Sequence, residues 1–152
     1  MKSFLAIIVL AALVFSMISI SEGCGKGWRR FRNKCYRLNY HPALKWIDAL
    51  TFCRHLGGGL AVPRNEIEHQ FLRRMAKQSG KAFIWIGLRD FKAEGKWLTF
   101  PDASYAKYVS WGRGKPNGGR RENCAVMARR YDYRWDDVPC SYVLNSICEK
   151  AK

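Results

Sequence analysis

Acidic residues are scarce in this 152-residue chain, which carries 12 Asp and Glu against 27 Lys and Arg, a formal net charge of +15. Internal repeats, low-complexity stretches and linker-like segments are absent, which argues against a repeat protein and against several domains. A charge excess of this size favours polyanionic partners, such as sulfated or carboxylated glycans, anionic lipid or a mineral surface. The alternative is a solvated basic surface that only keeps the protein soluble.

The sequence contains no Cys-x-x-Cys motif, and its histidines His41, His55 and His69 lack the spacing to cysteine that zinc ligands have. A zinc or thiol-redox site is therefore not expected. No His-Asp pair lies beside paired cysteines, which argues against a secreted phospholipase. Three disulfides explain the even number of cysteines better, although spacing alone allows fifteen pairings. The six cysteines are Cys24, Cys35, Cys53, Cys124, Cys140 and Cys148.

A long apolar run from Phe4 to Ile20 follows Lys2 at the start of the chain. Residues 1–23 are therefore predicted to be a secretory signal peptide, and residues 24–152 the mature domain. A membrane anchor is the alternative, but the run is short for a bilayer span and a single lysine precedes it. Cleavage would give a secreted protein without a transmembrane anchor, and secretion argues against intracellular nucleic acid as the partner.

Short aromatic segments predict a hairpin at the start of the mature domain. Residues 28–32 and 36–40 can pair as two strands that Cys24 and Cys35 hold in place. From Trp46 to Leu56 apolar residues recur at helical spacing, until the glycines at 57–59 end the stripe.

A second helix has a clearer start at Asn65, which is predicted to cap it together with Glu68 three residues later. The helix is predicted to end at residues 79–80, a Ser-Gly pair. Its core-facing residues are predicted to be Ile67, Phe71, Leu72 and Met75. His55 and His69 are expected to lie on the helix surfaces.

The remainder of the chain predicts short strands at residues 83–88, 97–98, 124–128, 134–136 and 147–150. Between Tyr105 and Glu122 lies a long stretch rich in Gly, Arg and Lys with little periodicity. A loop of that length is usually functional. Two helices followed by mostly antiparallel strands and a large irregular lobe give an α+β fold.

Several short motifs occur together after residue 23. They are Trp85-Ile86-Gly87-Leu88, Gly95-Lys96-Trp97, Trp111 ahead of Gly114-Lys115-Pro116-Asn117, Cys124, Trp135-Asp136-Asp137 before Cys140, and Ile147-Cys148-Glu149. In this combination the mature chain resembles the C-type lectin-like domain family over essentially its whole length. The resemblance implies a C-type lectin-like fold, in which two helices pack on a mostly antiparallel sheet beside a long irregular ligand-binding loop.

The resemblance also implies the disulfide pairing, which is Cys24–Cys35, Cys53–Cys148 and Cys124–Cys140, the first bond marking the long form of the domain. The Cys53–Cys148 bond would close a loop of nearly the whole domain, which is worth about 4 to 5 kcal/mol in the chain-entropy model. The Cys124–Cys140 bond would tie the binding loop to the strand that carries Asp136 and Asp137.

In sugar-binding members of the family, side-chain oxygens around the proline, before the next cysteine and after the tryptophan hold a calcium ion. Calcium takes six to eight oxygen ligands, and Lys115 offers an ammonium instead of an oxygen. Asp136 stands where asparagine is usual and restores one negative charge. A weak or lost calcium site is therefore expected, with Asn117, Glu122, Asp136 and Asp137 as its remaining ligands.

The family also has a secondary calcium position, which here would use Asp90, Glu94 and Glu122. Its two further acids are replaced by Gly118 and Asn123, so this site is expected to be degraded. In calcium-bound members the peptide bond before the proline is cis, and loss of a ligand would allow the bond before Pro116 to relax.

Basic residues cluster in the same segment as these degraded sites, opposed by Glu122 and Asp132. Arginine side chains bind sulfate, phosphate and carboxylate with two parallel hydrogen bonds, so the cluster is predicted to be an anionic-ligand patch. Its members are Arg113, Arg120, Arg121, Arg129, Arg130 and Arg134, with Lys115 among them. A second basic patch is predicted on the hairpin, at Arg29, Arg30, Arg32 and Lys34.

The sequence therefore predicts a secreted, non-enzymatic lectin that binds carbohydrate through a modified calcium site and a basic lobe. Asp136 and Asp137 are not a hydrolase pair, because adjacent residues of a strand point to opposite faces. Two alternatives stay open: a matrix protein of calcified tissue, similar to perlucin, and a cationic module that acts on anionic membranes. The sequence predicts neither the glycan nor the oligomeric state.

Overall fold

The computed structural model describes residues 23–152, so the predicted signal peptide lies outside the described residues. Within these described residues, two helices, α1 (Trp46–His55) and α2 (Glu66–Ser79), accompany eight strands. The strands are β1 (Arg29–Phe31), β2 (Lys34–Leu44), β3 (Gly59–Leu60), β4 (Phe83–Arg89), β5 (Leu98–Thr99), β6 (Cys124–Ala128), β7 (Arg134–Val138) and β8 (Leu144–Ala151). Within residues 23–152, no helix has the length and apolarity needed to cross a membrane.

All eight strands belong to one sheet, whose main order is β1-β2-β8-β4-β6-β7, with β3 beside β8 and β5 beside β4. The pairs are antiparallel except for β4 and β8, which run parallel. Successive side chains of β4 enter different core clusters, Ile84 and Ile86 on one face and Trp85 on the other. The predicted α+β fold is confirmed. Its sheet is mixed, and β1 and β7 lie at opposite edges.

Helix α1 covers one face of the sheet with its apolar stripe. Trp46, Ala49, Leu50 and Cys53 are buried there, as the helical spacing predicts. No side chain of the described residues caps its N-terminus; instead the amide of Trp46 donates to the carbonyl of Cys140 at 3.2 Å. The loop that closes the Cys124–Cys140 disulfide is thereby tied to the start of α1.

Helix α2 covers the opposite face and has the predicted caps. The side chain of Asn65 accepts a hydrogen bond from the amide of Glu68 at 2.9 Å, and Gly80 ends the helix in the left-handed region at φ 65°. Leu72 and Met75 are buried, as predicted. The predicted burial of Ile67 is wrong, because its side chain is 57% exposed.

The expected surface position of His69 is also wrong, because only 1% of this residue is exposed. Its Nε2 lies 3.1 Å from the carbonyl oxygen of Tyr133, and its ring meets the indole of Trp135 edge-on. Burial lowers the pKa of His69 below its usual value. The helix therefore faces the sheet with a partly polar stripe, whose hydrogen-bond partners are distant in sequence.

The three disulfides have the pairing that the family resemblance implies. They join Cys24 to Cys35, Cys53 to Cys148 and Cys124 to Cys140, with Cα–Cα distances of 5.5, 5.3 and 5.1 Å. The second bond fastens α1 to the central strand β8. The third fastens the start of β6 to the residues that follow β7.

A buried ionic network joins α2 to the hairpin. Glu68, 5% exposed, accepts a hydrogen bond from the hydroxyl of Tyr36, and its carboxylate lies 3.0 Å from the ammonium of Lys34. Beside it, Glu149 pairs with Arg64 at 2.7 Å. Burial raises the pKa of Glu68, but the hydrogen bonds from Tyr36, Arg64 and Lys34 outweigh it, so the pKa is lowered from its ordinary value of 4.5.

We expect Glu68→Gln to destabilise the domain by about 1 to 3 kcal/mol at pH 7, because charge-assisted hydrogen bonds of this kind contribute that much. A lowered carboxyl pKa stabilises the folded state above the unfolded pKa, and this contribution is lost as the pH falls through the folded pKa. The difference between variant and wild type should therefore shrink below about pH 4.5. Urea denaturation against pH measures it, with Glu94→Gln, an exposed carboxyl, as the control; equal effects at both positions would contradict the role of the network.

Candidate functional site

Two aspartates lie side by side near the end of β7. The β6–β7 register places Asp136 opposite Val126 and Asp137 opposite Ala125, so both aspartates belong to the regular ladder. They are 0% and 1% exposed. Two ionised carboxylates in such positions require compensating positive charge or hydrogen-bond donors.

The long loop is fastened to the outer side of β7 by its own backbone. Trp135 donates its amide to the carbonyl of Ser110 at 2.8 Å, and Gly112 donates to the carbonyl of Trp135 at 2.7 Å. The indole of Trp111 packs edge-on against that of Trp135, with ring centroids 5.6 Å apart, and also contacts Trp97. These contacts fix the loop immediately before Lys115.

The ammonium of Lys115 lies among the carboxylates of β7. Its Nζ is 2.7 Å from Oδ1 of Asp136 and 3.6 Å from Oδ1 of Asp137, and it donates to the side-chain oxygen of Asn117. Only 9% of the Lys115 side chain is exposed. One cation therefore faces three of the oxygen-bearing residues that the family resemblance assigns to calcium.

The surroundings of Lys115 favour its charged form. Burial alone would lower the pKa of Lys115, but the hydrogen bond and charge of Asp136, together with the charge of Asp137, raise it above its ordinary value of 10.5. A raised lysine pKa stabilises the folded state fully below the unfolded pKa, and the contribution is lost only as the pH rises through the folded pKa. The interaction is therefore fully present at neutral pH.

Asp137 also accepts hydrogen bonds from the loop backbone. Its Oδ2 accepts from the amide of Asn117 at 2.9 Å and from the amide of Gly118 at 2.5 Å. The peptide bond between Lys115 and Pro116 is cis. Glu122 lies directly against Gly118, where an added Cβ would come within 2.1 Å of its Oε2. Asp137 thus holds the turn that carries the Lys115 side chain, and glycine at 118 makes room for Glu122.

Arg130 provides the second positive charge for Asp136. Its Nη2 donates to Oδ2 of Asp136, and the hydrogen bond and charge of Asp136 raise the pKa of Arg130. The guanidinium also lies over the ring of Tyr131, at 4.9 Å from the centroid, and of Phe83, at 5.8 Å. Sequence reasoning placed Arg130 in the ligand patch but missed its pairing with Asp136, which depends on the shape of the β6–β7 turn.

This donor set does not fit a calcium ion between Lys115, Asn117, Asp136 and Asp137. The ammonium lies where these oxygens would have to hold the metal ion, and it would repel a divalent cation at short range. Within residues 23–152, no group of three or more His, Cys, Asp or Glu side chains is arranged to hold a metal ion.

Asp90 and Glu94, the residues of the secondary position, line a cavity of about 370 Å³ together with Lys92, Arg120 and Asn123. Asp90 is buried, and its Oδ2 accepts from the amide of Gly95 at 2.9 Å. Burial raises the pKa of Asp90, and the nearby charge of Asp137 raises it further. Lys92 and Arg120 thus place positive charge at the same cavity as these two acids.

The predicted arginine patch occupies several places around the lobe. Arg113, Arg120 and Arg121 are exposed on the loop, the last two in the 3-10 turn Gly119–Arg121. Arg129 donates to the carbonyl of Gly80 at the end of α2, and Arg134 begins β7 on its exposed side. Ala82, Phe83, Arg129 and Arg130 line an open groove of about 440 Å³.

A family model described as the C-type lectin domain matches residues 42–150. The chain is 33% identical to perlucin of Haliotis laevigata over 86% of this chain and 84% of that protein. It is 32% identical to the lactose-binding lectin l-2 of Anguilla japonica over 97% and 93%, respectively. A calcium-independent type II antifreeze protein has a similar structure, with a TM-score of 0.75 and 29% identity over 85% of this chain and 95% of that chain.

We expect Lys115→Met to destabilise the domain by about 3 kcal/mol, because removing one partner of a buried ion pair leaves uncompensated charge. Arg130 still faces Asp136 in the variant, which keeps the loss at the lower end of the range for such pairs. Urea denaturation at pH 7 measures the change, with Lys107→Met, at an exposed lysine of the same loop, as the matched control. Equal stability of the two variants would show that Lys115 does not neutralise the aspartates.

Proposed function

Because this chain belongs to the C-type lectin domain family, we propose that it is a secreted carbohydrate-binding lectin that works without calcium and prefers acidic or sulfated glycans. The observation that carries the proposal is the ammonium of Lys115, which lies 2.7 Å from Asp136 and 3.6 Å from Asp137. The charge that a metal ion would supply is thus part of the polypeptide.

A fixed ammonium changes how this loop binds a ligand. A calcium ion can complete its coordination shell with sugar hydroxyls. A lysine ammonium has only three N–H donors and no coordination positions to offer. Here the ammonium is directed at Asp136, Asp137 and Asn117, so little remains for a sugar. Recognition therefore moves from the loop centre to the side chains around it. The structural similarity to a calcium-independent antifreeze protein supports a working fold without the metal.

The side chains around the centre are predominantly cationic. Residues 113–137 contain seven Lys and Arg and four Asp and Glu, a difference of +3. Since Asp136 and Asp137 are buried against Lys115 and Arg130, the excess charge is carried by exposed arginines. Guanidinium groups at the surface favour carboxylate and sulfate over neutral hydroxyls.

The groove lined by Phe83, Arg129 and Arg130 is the best place for an acidic sugar ring. Arg130 is 55% exposed, so its guanidinium can contact both Asp136 and a ligand. Phe83 supplies an apolar wall of the groove beside the sugar ring, and Arg129 binds the acidic group. The relative named a lactose-binding lectin supports a saccharide ligand, and the acidic preference is the part that this chain adds.

We expect sulfated or uronic-acid oligosaccharides to bind equally well in calcium and in chelator, and less well as salt increases, because the attraction between exposed charges is screened. Arg129→Gln should weaken binding by about tenfold, the equivalent of one charge-assisted hydrogen bond. Glycan-array and titration measurements in calcium and in EGTA test this, with Arg74→Gln, an exposed arginine of α2, as the control.

Binding of neutral sugars only, and only in calcium, would contradict both parts of the proposal. A protein that binds no glycan but adsorbs to calcium carbonate and alters its growth would instead favour the matrix-protein alternative, which the identity to perlucin supports.

We expect Lys115→Glu to acquire calcium binding, because a carboxylate would then join Asn117, Glu122, Asp136 and Asp137. The variant should be less stable than wild type in chelator, since the new carboxylate adds to Glu122, Asp136 and Asp137 without a cation between them. Calcium at about 100 times its dissociation constant should restore about 2.7 kcal/mol. Thermal unfolding with and without calcium measures the effect, and Lys115→Met is the control without the added carboxylate. An equally large calcium effect on wild type would contradict metal independence.

A further inference from the structure

The first part of the mature domain is basic throughout. Between Cys24 and Ile47 the chain has seven Lys and Arg and no Asp or Glu. Most of this segment forms β1 and β2, at the edge of the sheet opposite β7. With strands about 4.8 Å apart, five strand spacings separate this edge from the ligand lobe, a distance of about 24 Å.

The strand register places three of the cations of this region on one face. Arg30 lies opposite Cys35, and Cys35 lies opposite Lys150 of β8. Residues directly opposite each other in a ladder share a face, and Arg37, two positions after Cys35, shares it as well. Arg30 and Lys150 are thus about 10 Å apart across the strands, and Arg37 lies about 7 Å further along.

The turn that precedes β1 fixes these side chains. The amide of Trp28 donates to the carbonyl of Gly25 at 3.2 Å, and the Cys24–Cys35 disulfide joins the turn to β2. The ammonium of Lys150 lies 4.4 Å from the centroid of the Trp28 ring. Nε of Arg37 lies 3.8 Å from the position that a Cβ on Gly27 would occupy. The cations are therefore held in a defined arrangement.

The acids of the region face the other side of the hairpin. Glu68 and Glu149 are buried against Lys34, in the ionic network on the face of the sheet that α2 covers. Among residues 23–152, neither Lys26, Arg30, Arg37 nor Lys150 forms an ion pair with an acidic side chain. The charges of this face are thus uncompensated within the described part of the chain.

We propose that Arg30, Arg37 and Lys150, here called the hairpin strip, bind a linear sulfated polysaccharide. Cations spaced about 7 to 10 Å apart over two directions suit a chain of repeating sulfates rather than a single anion. An anionic membrane is disfavoured, because interfacial binding also needs apolar side chains to insert. Along residues 23–152, the first large apolar side chain that is exposed is Tyr40, which lies outside the strip.

This surface is distinct from the groove at Arg129 and Arg130, so its role goes beyond the proposed function and does not depend on it. A short acidic oligosaccharide can occupy one of the two places, whereas a long sulfated chain gains from each cation of the strip. The chain-length dependence of binding therefore separates the two surfaces.

The test uses the folded mature domain, and the ligand is heparin, fractionated by length. The triple variant Arg30→Ser, Arg37→Ser and Lys150→Ser should weaken binding of long heparin by about tenfold or more. The slope of log affinity against log salt concentration should also fall by about two to three, because three cations no longer release counterions. The matched control removes three exposed cations elsewhere, with Arg74→Ser, Lys96→Ser and Lys107→Ser. It should change the affinity by less than about threefold, because such scattered charges contribute only to the long-range attraction.

Equal losses in the two triple variants would overturn the proposal, because net charge alone would then explain binding. Loss of binding to phosphatidylserine vesicles without loss of heparin binding would overturn it too, in favour of a membrane. Arg30→Ser alone, at an exposed residue without an ion pair, keeps the test decisive if the triple variant does not fold, and should still weaken heparin binding measurably. The loss in the strip variant should grow with heparin length, whereas the loss in Arg129→Gln should be similar for short and long heparin, so failure at the groove and failure at the strip give different results.

Discussion

Two buried carboxylates, those of Asp136 and Asp137, must be neutralised for the loop of residues 105–122 to keep its place against β7. An unpaired buried charge costs several kcal/mol, which is a large share of the stability of a domain of this size. Lys115 and Arg130 supply the positive charge, and the amides of Asn117 and Gly118 supply donors. The hydrogen bonds of Ser110 and Gly112 with Trp135, and the packing of Trp111, place the loop where Lys115 can reach both acids.

The internal cation also explains how the surface charge is distributed. Lys115 is paired with both aspartates and Arg130 with Asp136. The net positive charge of residues 113–137 is therefore carried by the exposed arginines of this segment. The mixed sheet then separates this segment, at β7, from the basic hairpin at β1. A disulfide lies at each place, Cys124–Cys140 at the end of β7 and Cys24–Cys35 at the hairpin.

Much of this architecture could be predicted from local sequence signals. Asn65 and Gly80 mark the ends of α2. The combination of tryptophan, glycine and cysteine motifs carries the resemblance to the C-type lectin-like family, and that resemblance implies the fold and the disulfide pairing. The buried polar residues could not be predicted in this way. His69 and Glu68 belong to the polar side of α2 in any apolar pattern, yet the carbonyl of Tyr133 and the hydroxyl of Tyr36 satisfy them from distant strands. Ile67, apolar but unopposed by the sheet, is exposed instead.

The same limit applies to the candidate site. The sequence aligns Lys115 with a calcium-ligand position of the family. The distances from its ammonium to Asp136 and Asp137, however, depend on the fold of the loop. Adjacent strand residues were expected to point apart, yet one long lysine side chain reaches both carboxylates. The most direct measurement is NMR of the Lys115 ammonium during a calcium titration. The account predicts a slowly exchanging ammonium signal, protected by the aspartates and unchanged at millimolar calcium; displacement of that signal by calcium would contradict it.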